Sequence, residues 1–274
     1  MRWGLDQVRV SFGRRVALDA VTVPASPSRV TVVVGGDGAG KSTCLKTLVG
    51  LVPPEAGTVH RPAKERIGYM PATTGLYADL TVQENLDFWA DAYRLPAGQR
   101  ARREDEILGR TGLSGARRRL GGQLSGGMQR KLAVGLALLH APELLVMDEP
   151  TTGVDPVSRA ELWRLISAAA AQGTAVVVAT TYVNEAAGAA SAVLLEAGKV
   201  LASGSPDSIL RSIPGAIGTA PGTGAGRPAP LSWRRGVSWR VWAPAGELPD
   251  GVEPIRPDFD DAVVVAELAG EQRR

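Results

Sequence analysis

One junction restricts the fold of this chain more than any other feature. The unbroken run Val30-Thr31-Val32-Val33-Val34 leads directly into Gly35-Gly36-Asp37-Gly38-Ala39-Gly40-Lys41-Ser42-Thr43. Successive β-branched residues suit a strand buried on both faces, and the glycine-rich stretch turns the chain into a helix beginning near Lys41. The spacing G-x-x-x-x-G-K-S between a strand and a helix is a device for capturing phosphate. Its glycines let backbone N–H groups point into one concavity, and the helix start adds partial positive charge. Lys41 is placed to neutralise β- and γ-phosphates, and the hydroxyl of Ser42 to ligate a magnesium ion. Gly35 to Thr43 are therefore the candidate phosphate contacts, with ATP and Mg²⁺ as the implied cofactors.

The same rhythm recurs. Leu144 to Met147 and Ala175 to Ala179 are apolar runs of the same character, alternating with longer helical patterns. The fold class is α/β: a P-loop NTPase core with a mainly parallel sheet. Between the first two of these strands, Thr81-Val82-Gln83-Glu84 is a capping box opening a helix over Val82 to Tyr93, and Glu104 to Leu108 continues the helical pattern. This is a helical subdomain inserted at about residues 73–140. After Leu210 the composition changes, because Pro214 to Pro230 is rich in Gly, Pro, Ala and Thr. The expected organisation is a nucleotide-binding domain over 1–212, a flexible linker over 213–232, and a small α+β appendage over 233–274. Within the appendage, Val237 to Trp242 alternates like a half-buried strand, and Phe259 to Leu268 suits a short helix.

A second apolar strand carries chemistry. Leu144-Leu145-Val146-Met147-Asp148-Glu149 ends in two acids, which puts both carboxylates at the C-terminal edge of the sheet, where ligands bind. Asp148 is the candidate magnesium ligand and Glu149 the candidate catalytic group, polarising the attacking water. Leu124-Ser125-Gly126-Gly127-Met128-Gln129-Arg130 then supplies a second glycine-bearing loop before a helix over Gln129 to Leu139. Two phosphate-binding helix starts in one chain suggest two halves of a site.

Composition narrows the remaining classes. With 274 residues and 44% hydrophobic content the chain can bury a substantial core, yet no apolar run approaches the roughly 18 residues that span a bilayer. The first residues carry Asp6 and Gln7 where a signal peptide needs an apolar stretch, so a cytoplasmic location is expected. The single cysteine, Cys44, excludes an internal disulfide framework and reads as a small core hydrophobe. A formal net charge of +3 gives no argument for nucleic acid. The run Arg117 to Arg119 has two readings, a solvated loop face, which is favoured, and a contact with anionic lipid headgroups.

The order P-loop, LSGGMQR, LLVMDEP and TTGVDP resembles the nucleotide-binding domains of ABC transporters over Met1 to about Leu210. The resemblance implies a head-to-tail dimer with ATP between the P-loop of one subunit and the signature loop of the other. By that resemblance Phe12 matches the aromatic that stacks on adenine, the other reading being a core aromatic in a strand. Ser125, Gly126 and Gly127, with Gln129 in the same motif, match the signature contacts given in trans, and Asp155 matches the D-loop acid. Gly75 to Leu86 and Thr151 to Arg159 look like ABC-2 type exporters, including multidrug and antibiotic-resistance ATPases. Arg256-Pro257-Asp258-Phe259-Asp260-Asp261-Ala262 is similar to the C-terminal segment of that group. The implied partners are a polytopic membrane subunit of the ABC-2 type, which holds the chain at the cytoplasmic membrane face, and a second nucleotide-binding subunit, in a homo- or heterodimer.

Two positions depart from the family pattern. Ala72 stands where the family has a glutamine that touches Mg²⁺ and water, and Thr181 stands where it has the switch histidine. A threonine hydroxyl is shorter than imidazole and carries no positive charge, so it stabilises γ-phosphate charge less well. Two readings follow: a working ATPase subunit, since Lys41, Asp148 and Glu149 are intact, or an ATP-dependent clamp with a poorly hydrolysing site paired with a better-equipped partner.

Overall fold

A computed structural model describes residues 2–222 and 229–272. From the N-terminus the chain forms β1 (Trp3–Phe12), β2 (Arg15–Ala25), β3 (Val30–Val34), α1 (Lys41–Val49), β4 (Ala56–His60) and β5 (Ile67–Met70). A helical stretch follows: α2 (Val82–Ala92), α3 (Ala97–Thr111) and α4 (Gly126–Leu138). The chain then alternates through β6 (Leu144–Asp148), α5 (Pro156–Ala171), β7 (Ala175–Thr180), α6 (Val183–Ala187), β8 (Ser191–Glu196), β9 (Lys199–Gly204) and α7 (Pro206–Arg211). It ends with β10 (Ala216–Pro221), β11 (Ser232–Arg235), β12 (Ser238–Ala243), β13 (Glu253–Pro254) and α8 (Phe259–Gln272).

The central sheet has the order β5-β6-β7-β3-β8-β9, parallel except for β9, which runs antiparallel to β8. Its strands are apolar on both sides because both sides are covered. Val32, Val34, Leu145, Met147, Val176 and Val178 face a core shared with α4, α5 and α8. Val33, Val146 and Val177 face the other way, onto Cys44, Leu45 and Leu48 of α1 and onto the β1–β2 hairpin. Burying each such side chain is worth about 1.5–3 kcal/mol, so the register of β3 against β7 (Val30 opposite Val176) and of β7 against β6 (Ala175 opposite Leu144) is held from both faces. That register brings the ends of β3, β6 and β7, and with them Gly35, Glu149 and Thr181, to one edge. A second sheet, β2-β1-β4, is antiparallel and lies over α1.

The helical insertion starts as its sequence prescribes. Thr81 accepts from the Glu84 backbone N–H at 3.1 Å, and the Glu84 carboxylate accepts from the Thr81 N–H at 2.7 Å. Asn85, fully buried, then ties down the preceding loop by accepting from the Tyr77 N–H at 2.9 Å and donating to Tyr77, Leu80 and Thr81 carbonyls.

The expected linker needs correction. Residues Ala216–Pro221 form β10, the strand that joins the sheet β11-β12-β10-β13 and pairs with β12 from Ala216–Ala243 to Pro221–Ser238. Small residues here signal close packing: a Cβ on Gly218 would lie 2.4 Å from Val252 Cγ1, so the loop before β13 can approach only a bare backbone. Ile217, Trp242 and Val265 form a small core, and the Trp242 indole donates to the Pro214 carbonyl at 2.8 Å. Regular structure thus resumes at Ala216, inside the expected linker. The stretch 223–228 of the expected linker lies outside the described residues. The expected strand and helix of the appendage are present as β12 and α8.

Candidate functional site

The loop after β3 closes around its own backbone. Gly38 and Gly40 have φ of 78° and 107°, values that only glycine adopts without strain. A Cβ at Gly40 would also lie 2.7 Å from the Ala17 carbonyl oxygen. Helix α1 has Gly40 as its N-cap and no side chain capping it, so its first-turn amides are left for an anion. In front of them is a cleft of about 550 Å³ lined by Gly36 to Thr43, Glu149 and the hairpin residues Phe12, Arg15 and Val16. Phe12 sits at the end of β1 with 55% of its surface exposed, so its ring is available on the cleft wall. Gly35 is not part of the lining; it backs onto the Leu195 carbonyl.

Lys41 is 7% exposed and folded into the loop, donating to the carbonyls of Gly35 at 2.8 Å and Gly36 at 3.1 Å. Its Nζ also lies 3.4 Å from Glu149 Oε1. Glu149 follows β6 with φ of 50°, in the left-handed region, and its own N–H donates to the Ala179 carbonyl of β7 at 2.9 Å. The other carboxylate oxygen, Oε2, accepts from the Thr152 hydroxyl at 2.8 Å and from the Thr181 N–H at 3.4 Å. Asp148, 2% exposed at the end of β6, has its pKa pushed up by burial, and the Ser42 hydroxyl beside it acts in the opposite direction. Its Oδ1 is buried without a hydrogen-bond partner. A buried carboxylate oxygen facing a serine hydroxyl at the foot of a phosphate cradle is a hard-oxygen donor pair, and such a pair fits Mg²⁺.

The signature loop stands apart from this cleft. Ser125 is the N-cap of α4, accepting from the Met128 N–H at 3.3 Å, and Ser125 and Gly126 are exposed. The Gln129 amide turns back onto the Gly121 and Leu124 carbonyls at 3.1 and 3.3 Å, so it braces the loop and does not project with Ser125. Asp155 caps α5, accepting from the Val157 and Ser158 N–H groups at 3.0 Å each, which holds its carboxyl below the usual range. Gly127 packs against Ser158 and Asp155. The structure therefore brings Phe12, Gly36 to Thr43, Asp148 and Glu149 together, and it places Ser125 to Gly127 and Asp155 elsewhere on the surface.

Arg15 and Val16 on the cleft wall and Thr152 on Glu149 are not among the candidates read from the sequence. The first two had a signal, because Gly13 turns a hairpin that returns them opposite Phe12. Thr152 had none, since its role depends on the turn after β6. Ala72 is exposed and offers only its backbone; Thr181 is exposed and reaches Glu149 through its N–H. Cys44 is buried, as its reading required. Arg117 donates to Gln83 at 2.8 Å and pairs with Asp105, so this member of the basic run is tied to the helical insertion.

A glycine cradle with its lysine, acids ending a parallel strand of the same sheet and an inserted helical subdomain define the class: a P-loop nucleotide-binding domain. Residues 18–152 match the family described as "ABC transporter". The chain is 38% identical over 196 residues to the "Probable multidrug ABC transporter ATP-binding protein YbhF" of Escherichia coli (strain K12), covering 68% of this chain and 34% of that protein. It is 31% identical over 218 residues to the "Nod factor export ATP-binding protein I" of Paraburkholderia xenovorans (strain LB400), covering 76% of this chain and 72% of that protein. A solved "ATP binding subunit of ABC transporter" matches with a TM-score of 0.70 at 27% identity, over 77% of this chain and 92% of the other. The chain belongs to the ABC transporter family, as an ATP-binding domain. It spans about a third of the length of the first of these relatives.

Proposed function

We propose that this chain hydrolyses ATP as one half of a head-to-tail dimer and couples that cycle to a polytopic membrane subunit of the ABC-2 type. The observation that carries the reading is Glu149 Oε1 at 3.4 Å from Lys41 Nζ, at the mouth of a cleft walled by free helix-start amides. A triphosphate entering the cleft draws Lys41 off the Gly35 and Gly36 carbonyls, which frees Glu149 to orient a water toward the γ-phosphate. The amides of Gly36 to Thr43 bind the phosphates, and Phe12 supplies a ring on which adenine stacks. Ser42 and Asp148 would hold Mg²⁺, which supplies neutralisation of phosphate charge when bound.

Exposure of Ser125 and Gly126 away from the cleft favours a second subunit as the source of the missing half. Among the described residues no helix is long and apolar enough to cross a membrane. A polytopic membrane subunit of the ABC-2 type would bring the chain to the bilayer. The experiment is steady-state ATPase activity of the wild type and Glu149→Gln, with Mg-ATP affinity by calorimetry and mass by light scattering. The expected result is turnover in the wild type only, ATP binding in both, and an ATP-dependent dimer that persists in Glu149→Gln. Equal turnover in both proteins overturns the reading.

A further inference from the structure

Ala72 brings no polar side-chain atom to the loop after β5, yet that loop is not left loose. Arg130, in the second turn of α4, donates from Nη1 to the Ala72 carbonyl oxygen at 2.9 Å. Its guanidinium is partly buried and lies in the field of two carboxylates: burial acts to lower its pKa, and Glu149 and then Asp148 act to raise it. Arg130 therefore touches the loop at Ala72 with one arm and feels both acids at the end of β6.

We infer that Arg130 is a positioning residue for hydrolysis, holding the loop at Ala72 by a side chain from α4. The inference rests on the hydrolytic reading above and deepens it. An alanine in the loop leaves only a backbone carbonyl to be held, and a carbonyl needs a donor. Arginine suits the place because its planar fork can keep one N–H on the carbonyl while its charge, which persists at any physiological pH, lies in the field of the acids. A lysine in the same place keeps the charge and loses the fork.

The position of Arg130 on its helix adds a consequence. Gly126 lies four residues earlier, one turn along the same face, and it belongs to the exposed loop offered to a second subunit. Arg130 and the loop offered to the partner's nucleotide thus share the first two turns of α4.

The test uses the full chain and its Arg130→Ala, Arg130→Lys, Ala72→Gln and Arg130→Ala/Ala72→Gln variants, with steady-state ATPase kinetics, Mg-ATP affinity and thermal unfolding. Arg130→Ala should lower kcat about tenfold with KM for ATP within about twofold of wild type, the pattern of a group that acts on the chemical step. Arg130→Lys should recover part of that loss. Ala72→Gln should raise kcat more in the Arg130→Ala background than in the wild type, because a loop glutamine and Arg130 then do the same work and their effects couple.

Wild-type kcat in Arg130→Ala overturns the inference, as does a fall in kcat accompanied by equal losses in ATP affinity and thermal midpoint. Identical gains from Ala72→Gln in both backgrounds overturn it too. A wild type with no more turnover than Glu149→Gln overturns the hydrolytic reading instead. Amide exchange over residues 71–75 then decides the tie itself: faster exchange in Arg130→Ala supports it, and unchanged exchange overturns it.

Discussion

Thr181 meets Glu149 through the main chain: its N–H donates to Glu149 Oε2 at 3.4 Å, and the same oxygen accepts the Thr152 hydroxyl at 2.8 Å. The side chain that holds Oε2 is therefore Thr152, three residues along the same turn. A hydrogen bond to a charged group contributes about 1.5–3 kcal/mol. Thr152→Ala should accordingly lower kcat by roughly one to two orders of magnitude while ATP affinity holds, since Glu149 keeps its charge and loses its orientation. Thr152→Ser should retain most activity. Steady-state kinetics with calorimetric affinities checks both, and an unchanged kcat in Thr152→Ala would remove this threonine from the site.

Lys41 currently satisfies the loop carbonyls at Gly35 and Gly36. With Lys41→Ala the cradle keeps its amides and loses its one buried cation, so Mg-ATP affinity should fall at least about tenfold. AMP affinity should change far less, because adenine stacking on Phe12 does not involve the lysine. Calorimetry with both nucleotides separates the two; equal losses would mean that the loop itself had collapsed.

The core of this molecule was legible wherever one local rule and one tertiary requirement agreed. Val30 to Val34 is β-branched and doubly covered, and Thr81 to Glu84 is a capping box that both reads and bonds as one. The phosphate cradle was legible for the same reason, as its glycines answer to φ values that no other residue adopts at low cost. Composition misled in the appendage: Gly218 and Ala220 of β10 look like linker residues, but their smallness lets the segment before β13 and the Trp242 strand close over them. Arg130 and Thr152 were invisible as site residues because each acts across a turn or between elements. No spacing rule brings Arg130 to Ala72, 58 residues away in sequence.

His140 gives the fold a pH dependence with a definite sign. It stacks on Tyr93 with ring centroids 3.6 Å apart, and burial, with the Arg103 cation adding to it, lowers its pKa from 6.5 to about 4. The folded state thus favours the neutral ring. The stability this supplies is fully present above pH 6.5 and is lost as pH falls from there toward about 4. For this partly buried group the loss should amount to about 1–2 kcal/mol by pH 5. Urea midpoints of the wild type and His140→Gln at pH 7.5 and 5 provide the measurement. The wild type should lose more than the variant, and an equal loss in both would assign the acid sensitivity to other groups.

The last prediction concerns the two side chains missing from the edge of the cleft. Thr181 borders a cavity of about 170 Å³ shared with Gly35, Gly36 and, from α8, Val263 and Glu267, so a histidine there has room without displacing the core. An imidazolium at this edge is a preorganised donor to charge developing on the γ-phosphate, and one such donor is worth about 2.7–4 kcal/mol of barrier. Thr181→His should therefore raise kcat by about one to two orders of magnitude, less than the full amount because the Thr181 N–H already serves Glu149. Ala72→Gln alone should change kcat little, since the loop is already held by Arg130. The double variant should gain less than the product of the single gains, as both groups act on one transition state. ATP affinity should stay within about twofold throughout, which separates chemistry from binding. Turnover and calorimetric affinity of the four proteins, each with its membrane partner in lipid, test this. A wild type that the histidine does not improve would show that Arg130, Thr152 and the Thr181 N–H together already supply what the two missing side chains would bring.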